Sequence, residues 1–470
     1  MNKIIKKILI KIPFLKKQIN KINILIQKNK ELEDILINEK ENRDKISLEK
    51  EKLDFELKKI KKEENNIKNK LFYLNQKKYL YVVEKIKKRV KKGKKIRVCF
   101  FIMYDGSFSY KPLYEKMLSD DSFEPFIVII PDTSRGEDHL IFSLENAYNN
   151  LSKKYKKVYK GYDYKLKKIN DFSRKTDLVC FPTPYEGMSL KNFEMEYFLK
   201  KNILTFYVNY AYSVLKFVRE VTMIDSYSLY WKVFVENKHN IKELNKYEKI
   251  KGKNAIVSGY CKMDDLYNQK IRKRKRKVII IAPHHTVSDW KLLKISNFLK
   301  YAEFFLKLPK LYPQIDFIFR PHPLLIVQLK KPEVWGIKKT NKYFEKMESY
   351  PNVLYSRGGE YFDMFVNSDG IIHDCGSFLA EYLFTEKPAC YMLENKKSIK
   401  KWFLPIGQKC LDFCYKTYSE KDIINFIENV ILKNKDVLRE KRISFVNSNL
   451  KLNYPNSSKF ILNFIKKELL

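Results

Sequence analysis

Short apolar runs alternate with helical patterns twice along this chain, and this alternation constrains the fold more than any other feature. The first series comprises the runs Ile96–Ile102, Phe126–Ile130, Leu178–Phe181 and Ile203–Val208, followed by LYWKVFVE and NAIVSGY. Short β-rich runs that are separated by helical stretches favour parallel strands joined by crossover helices. The first series therefore predicts an open α/β domain.

The pattern restarts after the basic run RKRKRK (Arg272–Lys277). The second series comprises Val278–Ala282, Ile315–Phe319, Asn352–Tyr355, Gly370–His373 and Ala389–Leu393. These runs predict a second α/β domain. We therefore expect an α/β protein with two Rossmann-like domains that face each other across a cleft and bind a ligand at the carboxyl ends of their strands.

A long helix is predicted before the first domain. Residues from about Ile19 to Leu74 contain no glycine or proline, and apolar residues recur there at heptad spacing: Ile46, Leu53, Ile60, Ile67 and Leu74. This spacing favours a coiled coil over residues 19–92, which would make the chain a homo-oligomer, although a solvated single helix is the alternative. Residues 1–18 predict a basic amphipathic helix lying on an anionic membrane surface, or else a solvated lead-in.

The predicted domains are then 93–271 on the N-terminal side, 272–419 on the C-terminal side, and a helical tail over 420–470 that packs across both. The 470 residues carry a net charge of +39, but lysine supplies most of it and isoleucine and asparagine are also abundant. An AT-rich genome produces this composition, and no RNA-recognition or zinc-finger signature accompanies the charge, so we expect no nucleic acid as partner. The seven cysteines form no CxxC pair, and no apolar run is long enough to span a bilayer.

Histidines occur where the predicted strands end. His284 and His285 follow the strand Val278–Ala282, His322 follows Ile315–Phe319, and His373 ends its own strand. Three strand ends that offer histidine indicate that at least one of these residues is catalytic. His139 follows a turn without such a context. The histidines have no metal-ligand spacing and no acidic cluster beside them, so we expect no metal.

Two further groups of residues point to a phosphate-bearing ligand. In HDCGSFLAEYLFTEKP, a turn with Gly376 leads to Ser377 at a helix start, where free backbone N–H groups and the helix dipole attract anions. Glu381 lies one turn further on the same face, where a carboxylate can bind ribose hydroxyls, although an ordinary capped helix is the alternative. Arg320 stands in RPHP next to His322, and its guanidinium suits phosphate.

The motifs SGYCKMD, IAPHHTVSDW, FIFRPHPLL and SDGIIHDCGSFLAEYLFTEKPACYML follow one another in this order. Together they resemble the CDP-glycerol glycerophosphotransferase family, over about residues 95–395. The resemblance implies a GT-B-like fold and the transfer of glycerol phosphate, or a related polyol phosphate, from a CDP-linked donor. It also implies work at the cytoplasmic face of the membrane on teichoic-acid or capsule-type polymers, with no tightly bound metal and no cofactor beyond the donor.

By this resemblance, individual residues acquire expected roles. His322 matches the histidine of the family's RPHP-type motif, which acts on the donor diphosphate. Asp374, Gly376 and Ser377 match the turn that holds the diphosphate, and Glu381 falls at an acidic position of the following helix. Arg320 is expected to assist His322 at the diphosphate.

One expected motif is missing. The family's N-terminal domain usually carries His-Gly-Thr-Pro after a strand, and its histidine is the proposed base. The corresponding region here reads ILTFYVNYAYSVLK, with neither histidine nor glycine. Either His284 or His285 is then the base, or Asp105 is, or the acceptor differs.

The expected function is therefore the transfer of a polyol phosphate to a glycan or lipid-linked acceptor, by a cytoplasmic enzyme held peripherally at the inner face of the cell membrane. One alternative keeps the fold and uses a UDP-, GDP- or CMP-sugar as a glycosyltransferase does. Another is a non-catalytic coiled-coil scaffold of a polymer-export complex.

Overall fold

A computed structural model describes residues 20–21, 23–34, 43–217, 226–247, 250–288 and 293–470. The predicted basic segment 1–18 lies outside these residues, as do Asp289 and Trp290 of the motif IAPHHTVSDW.

The first domain is built on a seven-stranded parallel sheet with strand order β3-β2-β1-β6-β7-β8-β9. Its strands are β1 (Ile96–Ile102), β2 (Phe123–Ile129), β3 (Val158–Lys160), β6 (Leu178–Phe181), β7 (Leu204–Val208), β8 (Lys232–Val235) and β9 (Ala255–Val257), and a separate antiparallel pair comprises β4 (Tyr162–Asp163) and β5 (Lys168–Ile169). The strands predicted at Ile96–Ile102 and Leu178–Phe181 are confirmed. They are almost continuously apolar because helices cover both faces of the sheet.

Short helices surround this sheet. They are α2 (Lys111–Leu118), α3 (Glu137–Ser152), α4 (Met195–Leu199), α5 (Ser226–Leu229), α6 (Lys238–Tyr247) and α7 (Asp264–Tyr267), with 3₁₀ turns at Asp105–Ser107, Ser173–Lys175, Lys191–Phe193 and Cys261–Met263. The long helix α1 (Arg43–Val90) precedes the domain.

The second domain has a six-stranded parallel sheet with order β12-β11-β10-β13-β14-β15. Its strands are β10 (Lys277–Ala282), β11 (Ile315–Phe319), β12 (Val353–Tyr355), β13 (Gly370–His373), β14 (Ala389–Met392) and β15 (Tyr415–Thr417). The five predicted strands of this domain are confirmed within a residue of their ends, while β15 escaped prediction because its three residues carry too little apolar pattern. The strand order reverses between β1 and β6 in the first sheet and between β10 and β13 in the second. Open α/β sheets bind ligands at the carboxyl ends of the strands next to such a reversal.

The helices of the second domain are α8 (Phe298–Leu311), α9 (Pro323–Leu329), α10 (Gly336–Glu348), α11 (Phe362–Val366), α12 (Gly376–Glu381), α13 (Lys397–Trp402), α14 (Pro405–Asp412) and α15 (Glu420–Asn425), with a 3₁₀ turn at Tyr382–Thr385 and a π-helix at Phe426–Leu432. Two C-terminal helices follow, α16 (Arg439–Asn449) and α17 (Ser457–Leu469). Val446 of α16 packs in the core of the second domain, whereas Ile461 and Ile465 of α17 pack in the core of the first. The chain therefore crosses back between the domains at its end.

The long helix α1 spans Arg43–Val90 and has two different environments. Near its start, Leu53, Leu57 and Ile60 pack against Leu25 of a helical segment over residues 23–34 in the same chain. Part of the predicted heptad seam is thus covered within one chain, and oligomerisation through it stays a prediction.

The last five turns of α1 belong to the first domain. Tyr79, Val82 and Ile86 lie in its core, and the Tyr79 hydroxyl donates to the Leu229 carbonyl at 2.9 Å. This differs from the predicted coiled coil over 19–92, because Phe72, Tyr79, Val82 and Ile86 are buried in the folded domain, whereas Leu80 and Tyr81 are exposed.

All seven cysteines are buried and unpaired, as their scatter through apolar runs predicts. Among the described residues, no helix combines the length and the apolar character that crossing a membrane requires.

Candidate functional site

Three of the predicted catalytic histidines lie together at the carboxyl ends of β10 and β11. The ring centroids of His284 and His285 are 4.2 Å apart, those of His285 and His322 are 4.2 Å apart, and those of His284 and His322 are 5.2 Å apart. One nitrogen from each ring lies within 4.8 Å of the other two. This histidine trio can therefore converge on a single ligand, whether a phosphate oxygen or a metal ion.

Backbone contacts fix the two loops that carry the trio. The His322 amide donates to the Pro283 carbonyl at 2.9 Å, which ties the loop after β11 to the loop after β10. The His322 ring caps α9, because its Nδ1 accepts a hydrogen bond from the Leu324 amide at 3.2 Å. Since Nδ1 is the acceptor, Nε2 carries the proton in the neutral ring and is the atom available to a ligand.

Burial keeps the trio neutral. It lowers the pKa of His284 well below its usual range, that of His285 to about 4 and that of His322 to about 3. The positive charge of Arg135, from the first domain, contributes to lowering the pKa of His285 and His322. A negatively charged ligand beside the trio would raise these pKa values, because it would stabilise the protonated rings and offset the charge of Arg135.

Asp374 lies beneath the trio and does not line the cleft, in contrast to its predicted contact with a diphosphate. Its side chain has no exposed surface, and its two oxygens accept hydrogen bonds from the amides of His284 and Asn297, both at 2.6 Å. Burial raises the pKa of Asp374 to about 7, against the effect of these amides. The role that follows from this position is to hold the backbone of His284.

Arg320 also differs from its prediction. Its guanidinium donates to the Ser356 hydroxyl at 2.6 Å and to the Gly358 carbonyl at 3.0 Å, and it also donates to the Gly359 carbonyl. Only 8% of the residue is exposed. Arg320 therefore shapes the loop after β12, and these bonds leave it poorly placed to grip a diphosphate.

Glu381, predicted to bind ribose, is closed off from any ligand. It is fully buried, one carboxylate oxygen accepts from the Tyr260 hydroxyl at 2.7 Å, and the other accepts from the Tyr361 hydroxyl. The Lys262 ammonium lies 3.5 Å from the first oxygen. Tyr260 and Lys262 come from the SGYCKMD motif, so Glu381 joins that motif to the second domain and cannot present free oxygens to a ribose.

Gly376 and Ser377 begin α12 next to the trio. The Cys375 thiol, one residue earlier, lies 3.2 Å from the Ala282 carbonyl at the end of β10. A side chain at Gly376 would meet the Leu215 Cδ1 atom at 2.6 Å, so glycine is required here for close approach of the first domain. Ser377 is half-buried beside this contact.

The described residues 209–217 after β7, where the resembled family has its histidine motif, include neither histidine nor carboxylate. The buried carboxylate of Glu236 accepts from the Ser213 amide at 2.5 Å and from the Asn209 side chain at 2.5 Å. Leu215 pairs with Phe403 of the second domain through an isolated β-bridge. This loop is therefore a packed contact between the domains.

A polar cluster after β2 was missed by the sequence analysis. Asp132 is fully buried and accepts hydrogen bonds from the Tyr104 hydroxyl and from the Ser134 amide. Arg135 Nε and His139 Nε2 lie 3.4 Å and 3.8 Å from one Asp132 oxygen. The available signal was an aspartate two residues after a predicted strand, with a histidine seven residues later, but only the fold shows that the two side chains meet.

Two cavities adjoin these residues. One, beside the trio, is bordered by Pro321, His322, Phe344, Tyr355, Ser356 and Arg357 among others. The second lies between the domains and is bordered by Asp105, Lys111, Lys154, Tyr155, Lys262 and Tyr361 among others. Asp105 accepts from the Asn150 side chain at 2.6 Å.

His373, the other strand-end histidine, lies in the core. It has no exposed surface, its ring packs edge-on against Tyr391 at 4.8 Å, and no partner is found for either ring nitrogen among the described residues. It takes no part in the cleft.

Comparison with known protein families decides the chain's relationship. Residues 94–467 match the family model described as CDP-Glycerol:Poly(glycerophosphate) glycerophosphotransferase. The chain belongs to this family. It is therefore a CDP-glycerol glycerophosphotransferase-type enzyme of teichoic-acid-like polymer synthesis, in agreement with the motifs and in preference to the sugar-nucleotide and scaffold alternatives.

Solved structures support the fold. The wall teichoic acid polymerase TagF is 13% identical with a TM-score of 0.53, over 88% of this chain and 95% of that one. The S. aureus MnaA–UDP co-structure is 12% identical with a TM-score of 0.53, over 80% and 98%. UDP-GlcNAc 2-epimerase from Neisseria meningitidis, bound to UDP-GlcNAc, is 14% identical with a TM-score of 0.51, over 80% and 100%. No curated protein sequence matches the chain. The expected GT-B-like pair of α/β domains is confirmed.

Proposed function

We propose that the histidine trio holds the diphosphate of a CDP-linked polyol while an acceptor hydroxyl attacks from the first domain. The convergence of His284, His285 and His322 beside the start of α12 carries this assignment. His284 and His285 were also candidates for the base on sequence grounds. Their pKa values lie far below neutrality, which makes them poor proton acceptors and supports a role as partners of phosphate.

The charges of the cleft fit an anionic ligand. A diphosphate placed against neutral, buried imidazoles gains hydrogen bonds from their N–H groups and raises their pKa. The hydroxyl of Ser377 and the first amides of α12 adjoin the same place and would add donors. Arg135 supplies a positive charge from the opposite wall. The cavity beside His322, with Phe344 and Tyr355 in its lining, is our proposed site for the nucleoside.

The reaction that follows is an in-line displacement. The acceptor oxygen bonds to the β-phosphorus of the donor, the bond from that phosphorus to the bridging oxygen breaks, and CMP leaves with the electron pair. Positioning and charge stabilisation supply most of the rate enhancement in such transfers. The trio would stabilise the charge that develops on the phosphoryl oxygens.

We assign the acceptor to the cavity between the domains. Its lining combines Lys154 with Lys111 and Lys262, which pair with Asp265 and Glu381. Such a charged lining suits a phosphate-bearing glycan or a lipid-linked acceptor, which is the kind of substrate a growing polymer offers. The proposed setting is the cytoplasm, with peripheral contact to the anionic inner face of the membrane. A homo-oligomer formed through α1 completes the proposal.

The test is acceptor-dependent release of CMP from CDP-glycerol. His322→Ala is expected to lower the rate of CMP release by about 10²-fold or more, because a donor to the transferring phosphoryl group is lost. His239→Ala is the matched control, since His239 lies on α6 outside the cleft, and its rate should equal that of the wild type. Unchanged CMP release by His322→Ala would refute the role of the trio.

The donor itself is tested by ligand-induced thermal shift. CDP-glycerol, CDP-ribitol and UDP-sugars are compared at equal concentration, since only a ligand that binds the native state raises the melting temperature. A shift confined to a UDP-sugar would contradict the proposed donor.

A further inference from the structure

The transfer reaction needs a proton acceptor for the attacking hydroxyl. The region after β7, where the family usually carries the histidine of its His-Gly-Thr-Pro motif, has no histidine in this chain at residues 203–216. Asn209 and Ser213 occupy the loop after β7 and are locked on the buried Glu236, and Leu215 covers Gly376. The described residues of this loop, 209–217, include neither histidine nor carboxylate. Other strand ends of the first domain do carry such groups.

Asp105 and His139 are two of the titratable groups that these strand ends carry. The loop after β1 offers Asp105, whose oxygens already accept from the Asn150 amide at 2.6 Å and from the Gly106 backbone amide at 2.8 Å. The loop after β2 offers His139 beside Asp132. Its ring is one-third exposed, and its Nε2 atom is buried without a hydrogen bond, 3.8 Å from the Asp132 carboxylate.

Asp132 is suited to orient a histidine. Burial alone would raise its pKa, but hydrogen bonds from Ser134 and Tyr104 hold the pKa below the usual range, so the carboxylate is ionised near neutrality. A buried, ionised carboxylate beside an imidazole fixes the ring's tautomer and stabilises the imidazolium that forms when the ring takes a proton. A closure of a few tenths of an ångström would bring Nε2 into hydrogen-bond range of Asp132.

The same cluster lies at the carboxyl edge of the first sheet, near enough to the trio for the charge of Arg135 to act on it. Arg135 shares the Asp132 carboxylate with His139, and its guanidinium lies over the Tyr104 ring at 5.4 Å. Its charge acts on His285 and His322 of the opposite domain. His139 thus shares Asp132 with a residue whose charge acts on the trio. Its ring lies 6.0 Å from the Tyr104 ring, and Tyr104 directly precedes Asp105 of the acceptor cavity in the chain.

We propose that His139, oriented by Asp132, is the base that accepts the proton of the acceptor hydroxyl. This rests on the proposed transfer reaction. The acceptor O–H bond breaks as its oxygen bonds to the β-phosphorus, the proton passes to Nδ1 of His139, and CMP departs with the bridging oxygen. The protonated ring returns its proton to solvent after the product leaves. Arg135 is a positioning residue that shares Asp132 and faces the phosphoryl group.

The experiment measures single-turnover CMP release from CDP-glycerol by the full chain, as a function of pH. His139→Ala and His139→Gln are expected to be slower by about 10²- to 10⁴-fold with unchanged CDP-glycerol affinity. The acidic limb of the wild-type pH–rate profile should disappear in both variants, and added imidazole should restore part of the rate to His139→Ala alone. A structural role would not produce that rescue.

Controls separate the competing bases. Asp132→Asn should lower the rate while leaving CDP-glycerol affinity unchanged, and His239→Ala should match the wild type. Two results would overturn the proposal: His139 variants within threefold of the wild type, or loss of the acidic limb in Asp105→Asn with its retention in His139→Gln. A His139→Ala variant that fails to fold is replaced by His139→Gln, whose melting temperature is checked first.

Measurements on the wild type separate a wrong assignment of the base from a wrong assignment of the transfer reaction. Acceptor-dependent CMP release by the wild type upholds the transfer, and the His139 variants then decide the base. No CMP release and no thermal shift with any CDP-linked polyol would overturn both.

Discussion

Three strand-end histidines share a position in the sequence pattern but differ in what surrounds them. His284 and His322 line a cleft, whereas His373 ends β13 with its ring in the core. Burial lowers the pKa of His373 to about 3, against an unfolded value near 6.5. The native state therefore holds this ring neutral at pH values where the unfolded chain protonates it.

The substitution His373→Phe should reduce the pH dependence of stability. Because the folded pKa is depressed, the contribution of His373 is present above pH 6.5 and is lost as the pH falls toward 3. Between pH 7 and pH 5 this residue should remove about 2 kcal/mol from the free energy of unfolding. Urea denaturation at both pH values measures the difference, which should shrink by that amount in His373→Phe. Equal pH dependence in His373→Phe and the wild type would contradict the assignment.

At the scale of elements, α12 and the loop after β7 meet at a single glycine. A methyl group at Gly376 would lie 2.6 Å from the Leu215 Cδ1 atom. Gly376→Ala should therefore cost about 1–3 kcal/mol of unfolding free energy, and the added Leu215→Ala should reduce that cost because it vacates the space. Thermal and urea unfolding of the two single variants and the double variant measure the coupling.

Gly106→Ala is the control for these three variants. No atom lies within 4 Å of the methyl group that alanine would add at this position, and the φ angle of Gly106 is not positive. Additive effects of the Gly376 and Leu215 substitutions would show that the two elements do not meet there.

The long helix α1 makes a second prediction at this scale. Deleting residues 1–64 removes the part that packs on residues 23–34, while Phe72, Tyr79, Val82 and Ile86 stay in place. This truncation should keep the circular dichroism and CMP release of the full chain.

Deleting residues 1–92 should instead leave an insoluble or unfolded protein. It strips apolar side chains worth about 1.5–3 kcal/mol each from the core of the first domain, which is comparable to the whole stability of a domain. A cooperative, soluble protein after the longer deletion would contradict the packing of α1.

On the scale of the whole molecule, the net charge of +39 bears on where the enzyme works. The run Arg272–Lys277 joins the two domains on the surface, but its arginines pair with Asp316, Asp363 and Asp369, so the charge there is partly compensated. Lysine charge spread over the surface attracts anionic lipid over a distance set by salt screening.

The full chain should therefore sediment with vesicles of phosphatidylglycerol at about 50 mM salt and be released at about 500 mM, where the screening length falls to a few ångströms. Phosphatidylcholine vesicles are the control and should not bind it. A chain lacking residues 1–18 tests the predicted basic helix: unchanged binding would assign the attraction to the folded surface instead. Binding that resists salt would contradict an electrostatic contact.

The sequence by itself determined the two α/β domains, eleven strand positions near their observed places and the gathering of His284, His285 and His322. These follow from local pattern, because buried parallel strands must be continuously apolar and the carboxyl ends of neighbouring strands meet at one edge. Tertiary structure alone decided what each polar side chain faces. The side chains of Arg320, Asp374 and Glu381 hold neighbouring parts of the protein in place, because each forms hydrogen bonds with buried partners that are distant in the sequence. Tertiary structure also brought His139 close to Asp132. Their distance depends on the path of the loop after β2 and on the first turn of α3, and a periodic pattern in the sequence does not predict that path.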